Sequence, residues 1–288
     1  WINQSARTLE QTLGKPLRKD LSAYGYTWWV YTDEKNVYVQ FGVSNNKIKT
    51  IFATGKDLSM NTIQIGQPYE FVEKQLSFED TIAYQNGQSS YEFKLTKKDL
   101  KTQPLVKLSD DIFLQCYFDA IENKLSSVRI LTANTLLLHA PYEIEYRGVL
   151  PEEPLLSDED WVEIEEGMAN QIFLLTNVKR NQYGKDLLKW DQDVTEVALM
   201  HSEDMEMNNY FSHYSQNGEG LRERLDAKDI VYLSAGENIA ALYPDAPSAV
   251  EGWLNSEAHR EALLEDNYTH LGVGVHRLYF TQNFIARP

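Results

Sequence analysis

Five of the six histidines lie in the last 88 residues, and two of them, His213 and His259, bracket an acidic residue, Glu237. The segments read Tyr210-Phe211-Ser212-His213, then Gly236-Glu237-Asn238-Ile239-Ala240, then Trp253-Leu254-Asn255-Ser256 leading to His259-Arg260. Imidazole and carboxylate are the side chains that bind divalent metals and move protons near neutral pH. Two imidazoles and one carboxylate make a ligand set for zinc with a position left open for water. The same three groups can equally hydrogen-bond one another and pin three segments together. At this level a structural network, a metal or ligand site, and catalysis with Glu237 as general base all stand. The three residues read as lying on loops or helix ends.

The elements that must position them follow from periodicity. Ser157-Asp-Glu-Asp160 offers an N-cap and an acidic first turn for a helix through about Lys179, with Met168, Ile172, Leu175 and Val178 at helical spacing. A second helix is predicted from about Asp191 to Asn208, with Val194, Val197, Ala198, His201 and Met205 on one stripe. A single inward histidine such as His201 is more often a hydrogen-bonded core residue than a ligand. Shorter helices are predicted at Leu221–Lys228 and Pro247–Asn255, and paired strands at Thr269–Val275 and Leu278–Phe284. Glycines 272 and 274 in the first of these strands allow another backbone to approach closely.

The first half reads as strands: Tyr26–Tyr31, Val37–Phe41 and Lys47–Phe52 are rich in aromatic and β-branched residues or alternate in polarity. A weak internal repeat runs through it. Leu13-Gly-Lys-Pro16 recurs as Ile65-Gly-Gln-Pro68, and Val37-Tyr-Val-Gln-Phe41 recurs as Ile112-Phe-Leu-Gln-Cys116. This predicts a duplicated α+β unit with small antiparallel sheets, its copies spanning about 1–60 and 61–140. A helix is predicted at Tyr69 to about Leu76. Three prolines and a cluster of acids mark residues 141–157 as a linker before a second domain at 158–288.

Charge separates the halves. Residues 1–150 balance at 17 basic and 17 acidic, so the whole formal net charge of −16 falls on residues 151–288. An acidic domain disfavours nucleic acid and anionic membrane surfaces as partners. No apolar run approaches the roughly 18 residues needed to span a bilayer. The single cysteine, Cys116, permits no intramolecular disulfide and sits in an apolar, strand-like run. The chain begins at Trp1 rather than methionine, which raises the expectation that a signal peptide, a membrane anchor or merely the choice of boundary removed an upstream segment.

Leu188-Lys-Trp-Asp191, His201-Ser-Glu-Asp-Met205, Tyr210-Phe-Ser-His213, Ala235-Gly-Glu-Asn-Ile-Ala240, Gly252-Trp253, Asn255-Ser256, His259-Arg260, His270-Leu-Gly-Val-Gly274 and Thr281-Gln-Asn-Phe284 occur in order over about 165–285. Together they resemble the bacterial branch of the CAP superfamily, the cysteine-rich secretory, antigen 5 and pathogenesis-related 1 proteins, also called SCP-like domains. The first half resembles the CAP-associated N-terminal domain of Gram-positive bacteria. The resemblance implies an α+β protein whose C-terminal domain is an α-β-α sandwich, and it implies export or cell-surface display. It also implies a cleft of two histidines and two acids that binds zinc or another divalent ion in some members. His213 and Glu237 match the first histidine and first acid, whereas Ser256 and Tyr279 stand where the second acid and second histidine fall. His259 belongs to the bacterial variant of the motif.

Half the ligand pattern is thus replaced, so any zinc is expected to be weakly held through His213, Glu237 and His259. No Gly-x-Ser-x-Gly or His-Glu-x-x-His motif supplies a hydrolase signature. The leading expectation is a non-enzymatic, secreted or surface binding module. Its cleft of His213, Glu237, His259, Asn238, Ser256 and Tyr279 would take a small molecule, lipid, glycan or peptide. The alternatives are a metal-assisted hydrolase with Glu237 as general base, and an envelope scaffold acting through the N-terminal domain.

Overall fold

The computed structural model describes residues 1–56, 58–60 and 62–288. They form two compact units, residues 1–33 with 37–156, and residues 157–288 with 34–36.

The first unit runs α1 (Ala6–Leu13), β1 (Arg18–Leu21), β2 (Thr27–Thr32), β3 (Val37–Ser44), β4 (Lys47–Gly55), β5 (Ser59–Met60), β6 (Ile63–Gln64) and α2 (Tyr69–Leu76). It continues with β7 (Thr81–Asn86), β8 (Ser89–Lys94), α3 (Lys97–Thr102), β9 (Leu105–Ser109), β10 (Ile112–Asp119), β11 (Lys124–Thr132), α4 (Ala133–His139) and β12 (Glu143–Arg147). The strands β3 and β10 carry the repeated Val-Tyr-Val-Gln and Ile-Phe-Leu-Gln segments. Each forms an antiparallel hairpin with the strand that follows it.

The two hairpins do not stay in separate small sheets as the repeat predicts. Their free edges pair antiparallel, Ile51 opposite Ile130 and Ala53 opposite Val128, giving one seven-stranded sheet ordered β1-β2-β3-β4-β11-β10-β9. An unpaired edge leaves a row of backbone donors and acceptors open, and joining the copies removes two such edges at once. Cys116 on β10 is fully buried among Leu114, Phe118 and Val128, and burial pushes its thiol pKa far upward, so it is an inert core residue. Within the stretch read as linker, Glu143–Arg147 is instead β12, which pairs with β8 and completes a three-stranded sheet ordered β12-β8-β7. Ile144 packs against the core beneath this sheet, while Tyr146, on the same side of the strand, stays exposed and stacks on Tyr91 at 6.4 Å.

The second unit runs α5 (Asp158–Gln182), β13 (Lys189–Trp190), α6 (Gln192–Met207), α7 (Leu221–Asp226), β14 (Ser234–Ala241), α8 (Ala246–Leu254), α9 (Glu257–Leu264), β15 (His270–His276) and β16 (Tyr279–Ala286). Ser157 caps α5 through a reciprocal pair with Asp160, and Asp191 caps α6 by accepting from Val194 N–H. The sheet is ordered β13-β15-β16-β14, antiparallel except for the short β13–β15 pairing.

Successive residues of β16 point to opposite faces, and their partners identify the layers. Gln282 donates to Thr176 on α5 at 2.8 Å, while Thr281 shares a 2.8 Å hydrogen bond with Ser202 on α6. A buried ion pair, Lys179–Glu251 at 2.7 Å, ties α5 to α8. The unit is therefore an α-β-α sandwich, with α6 on one face of the sheet and α5, α8 and α9 on the other. Gly272 and Gly274 face α6, where an added Cβ would lie 2.3 Å from Thr195 N and 2.0 Å from Leu199 N. The close approach read from these two glycines is that of the α6 backbone.

Candidate functional site

Glu237 is the hub. It lies in β14 opposite Asn283 of β16, not in a loop, and its side chain is only 5% exposed. Both carboxylate oxygens are engaged: Oε1 accepts from His213 Nδ1 at 2.9 Å, and Oε2 accepts from Arg224 Nη2 at 2.5 Å. A carboxylate only accepts, so Nδ1 of His213 carries the hydrogen and Nε2 lies outside this bond. The His213 side chain is half-exposed and makes no other hydrogen bond among the described residues.

Two groups hold the His213 loop on this carboxylate. Arg224, on α7, also donates through Nη1 to the carbonyls of His213 at 3.1 Å and Glu219 at 3.3 Å. His201, on the inner stripe of α6, sits with Nε2 at 3.0 Å from Ser212 O and 4.0 Å from Glu237 Oε1. A carbonyl accepts, so His201 donates through Nε2 and leaves Nδ1 buried without a partner among the described residues. Tyr210 donates to Asp204 and fixes the start of the same loop. His201 is thus a buried, hydrogen-bonded residue, as its place on the inner stripe predicts, and it is also part of the support for the site.

The remaining expected residues divide. Asn238 is fully buried on the opposite face of β14, where its Nδ2 donates to His259 O at 3.0 Å and to Gln282 Oε1 at 3.2 Å. His259 lies in the first turn of α9, half-buried, and near enough to His213 for their charges to repel. Ser256 is the N-cap of α9, yet its hydroxyl makes no capping bond. Tyr279 pairs with Ala241, four residues along β14 from Glu237, which is about 13 Å at strand spacing. No hydrogen bond among the described residues joins Ser256 or Tyr279 to His213 or Glu237.

A divalent cation fits this arrangement poorly. Among the described residues no three His, Cys, Asp or Glu side chains converge to hold one. The carboxylate that would bind it is already neutralised by a guanidinium, whose charge repels a second cation at the same oxygen. Among the described residues His213, Glu237 and His259 are not gathered as a ligand set, and Arg224 already holds one oxygen of the carboxylate.

Burial lowers the pKa of His201, opposed by Glu237 and reinforced by Arg224; burial and the nearby His213 lower that of His259. The folded state therefore prefers both imidazoles neutral. Their contribution to stability is complete above the unfolded value of 6.5 and is lost as pH falls from there toward the depressed folded values. Thermal denaturation of His201→Gln, which keeps a donor toward Ser212, should show a shallower loss of stability between pH 7 and 5 than the parent chain. An unchanged slope would mean that His201 is not the buried neutral group described.

Arg224 was not signalled by sequence. It lies in Arg222-Glu-Arg224, which reads as the solvated face of a short helix, and its partner is 13 residues away in another element.

Comparison with known proteins agrees with this architecture. Residues 2–142 match the CAP-associated N-terminal family, and residues 173–285 match the cysteine-rich secretory protein family. The chain is 46% identical over 287 residues to the uncharacterized membrane protein YlbC of Bacillus subtilis, covering all of this chain and 83% of that protein. Among solved structures, an extracellular protein containing an SCP domain from Bacillus anthracis superposes with a TM-score of 0.94 at 40% identity, covering 100% of this chain and 94% of the other. A cysteine-rich secretory protein from Staphylococcus aureus superposes at 0.88 with 27% identity, covering 100% and 92%. Among the described residues no helix is long and apolar enough to cross a membrane. With both family matches in order and a relative this similar along the whole chain, the protein belongs to the bacterial CAP, or cysteine-rich secretory protein, family, in the form that carries a CAP-associated N-terminal domain.

Proposed function

We propose that the protein is an extracellular binding module whose C-terminal domain takes an extended polar ligand, a glycan or a peptide, at the His213 loop. One observation carries this reading: Glu237 engages His213 through Nδ1 and leaves Nε2 outside that bond, on a loop that also exposes the aromatic rings of Phe211 and Tyr214. Exposed aromatic rings and one oriented polar group carried on the same loop suit sugar rings or a peptide strand. The Arg224–Glu237 pair serves to fix that group, since both carboxylate oxygens are consumed in orienting protein groups.

Soluble amino-sugar oligosaccharides, short peptides and neutral lipid vesicles, each titrated against the full chain, test this reading. Binding is expected in the oligosaccharide or peptide arm, and His213→Ala/Tyr214→Ala should weaken it about 10-fold or more, as loss of an aromatic anchor and a hydrogen bond does. Binding confined to vesicles, or affinity unchanged in the double variant, would overturn it.

A further inference from the structure

Among the described residues no strand neighbours the outer side of β15 beyond residue 271, because the chain leaves β13 at Asp191 to enter α6. A groove of about 460 Å³ opens there between α5 and α6. Its apolar lining comes from Val162 of α5 and Leu199 of α6, over the free edge of β15 at Val273–Val275, whose side chains are almost fully buried, and Trp190 lies at the end where β13 stops, set edge-on against Phe173 at 5.3 Å. Glu166 on α5 and Glu203 on α6 stand on opposite walls. No Lys or Arg lines the groove, and neither of these two carboxylates has a hydrogen-bond or ion-pair partner among the described residues. The third acid, Glu165, is committed: it accepts from Arg277 N–H at 2.9 Å and faces His276 at 3.4 Å.

We propose that this groove docks a cationic amphipathic peptide segment of a partner protein, apolar side chains on the apolar lining and lysine or arginine heads on Glu166 and Glu203. Charge complementarity selects the occupant. Opposed, unneutralised carboxylates beside an apolar lining repel anionic lipid and nucleic acid, and favour a chain that carries positive charges at the edges of an apolar strip. A second copy of this chain is disfavoured because residues 151–288 carry the full net charge of −16. The groove does not include His213, Glu237 or Arg224, so this inference stands apart from the ligand site.

The probe is an N-acetylated heptapeptide of alternating lysine and leucine, titrated into the full methyl-labelled chain and followed by NMR. Saturable shifts are expected at the methyls of Val162 and Leu199, the groove's accessible apolar residues. Glu166→Lys/Glu203→Lys, two surface changes that leave the core intact, should weaken binding about 10-fold or more. Glu152→Lys/Glu153→Lys, an equal change of net charge at exposed residues outside the groove, should leave affinity within about 2-fold. The proposal is overturned if the two charge-reversed variants lose affinity equally, which is diffuse attraction to an acidic protein. Unmoved groove methyls overturn it too, as does equal binding by a control heptapeptide in which glutamate replaces each lysine.

Discussion

Replacing Gly274 by alanine should destabilise the C-terminal unit more than any other single methyl addition to its sheet. The new Cβ would sit 2.0 Å from Leu199 N and 2.3 Å from Ala198 C, both backbone atoms of α6. A side chain in that place could rotate away, but helix backbone must translate. Translating α6 disturbs the Ser202–Thr281 bond and the seat of His201 behind Glu237. Overpacking costs about 1–3 kcal/mol where side chains can yield and more where they cannot. A loss of at least ~3 kcal/mol, or roughly 10 °C in the calorimetric transition of this unit, is expected. A shift below about 2 °C would show that α6 does not lie against β15 as described.

Arg224→Met should cost nearly as much, for an electrostatic reason. It keeps the aliphatic stem but leaves a carboxylate of 5% exposure with only the His213 hydrogen bond. Removing one partner of a buried pair typically costs about 3–5 kcal/mol, because the survivor remains charged and desolvated. Arg224 is itself 10% exposed and also ties down the His213 and Glu219 carbonyls, so about 3 kcal/mol is expected, measured by denaturant unfolding. Glu237→Gln in the same background removes the stranded charge, and the double variant should be more stable than Arg224→Met alone. Additive effects, with coupling below about 0.5 kcal/mol, would deny the pair its role.

Much of the C-terminal fold was legible because its helices are long and periodic. The α5 start at Ser157 and the α6 inner stripe were both marked by capping residues and 3.6-residue spacing, which local physics alone dictates. The strand β14 was not legible: Gly236-Glu237-Asn238 is polar and glycine-containing and reads as loop, yet pairing with all eight residues of β16 holds it extended. The helix α9 escaped for the opposite reason. Eight residues with only Leu263 fully buried carry too little periodicity to stand out.

In the first unit the duplication was visible, but the merging of its hairpins was not, since residues that pair β4 with β11, such as Ala53 and Val128, lie 75 positions apart in the chain. The candidate site shows the same limit. His213 and Glu237 were named from residue type and resemblance, and they do meet. Arg224, which decides what the carboxylate can do, is brought in by tertiary packing that no spacing rule encodes.

The ¹⁵N spectrum of the histidine imidazoles in the full chain tests the central claim most directly. At pH 8, with zinc added in small excess, His213 should show a protonated Nδ1 and an unprotonated, metal-free Nε2, and zinc should leave both resonances in place. Zinc-dependent displacement of His213 and His259 together, or an Nε2-protonated His213, would contradict the account of Glu237 as a carboxylate consumed in orienting its neighbours.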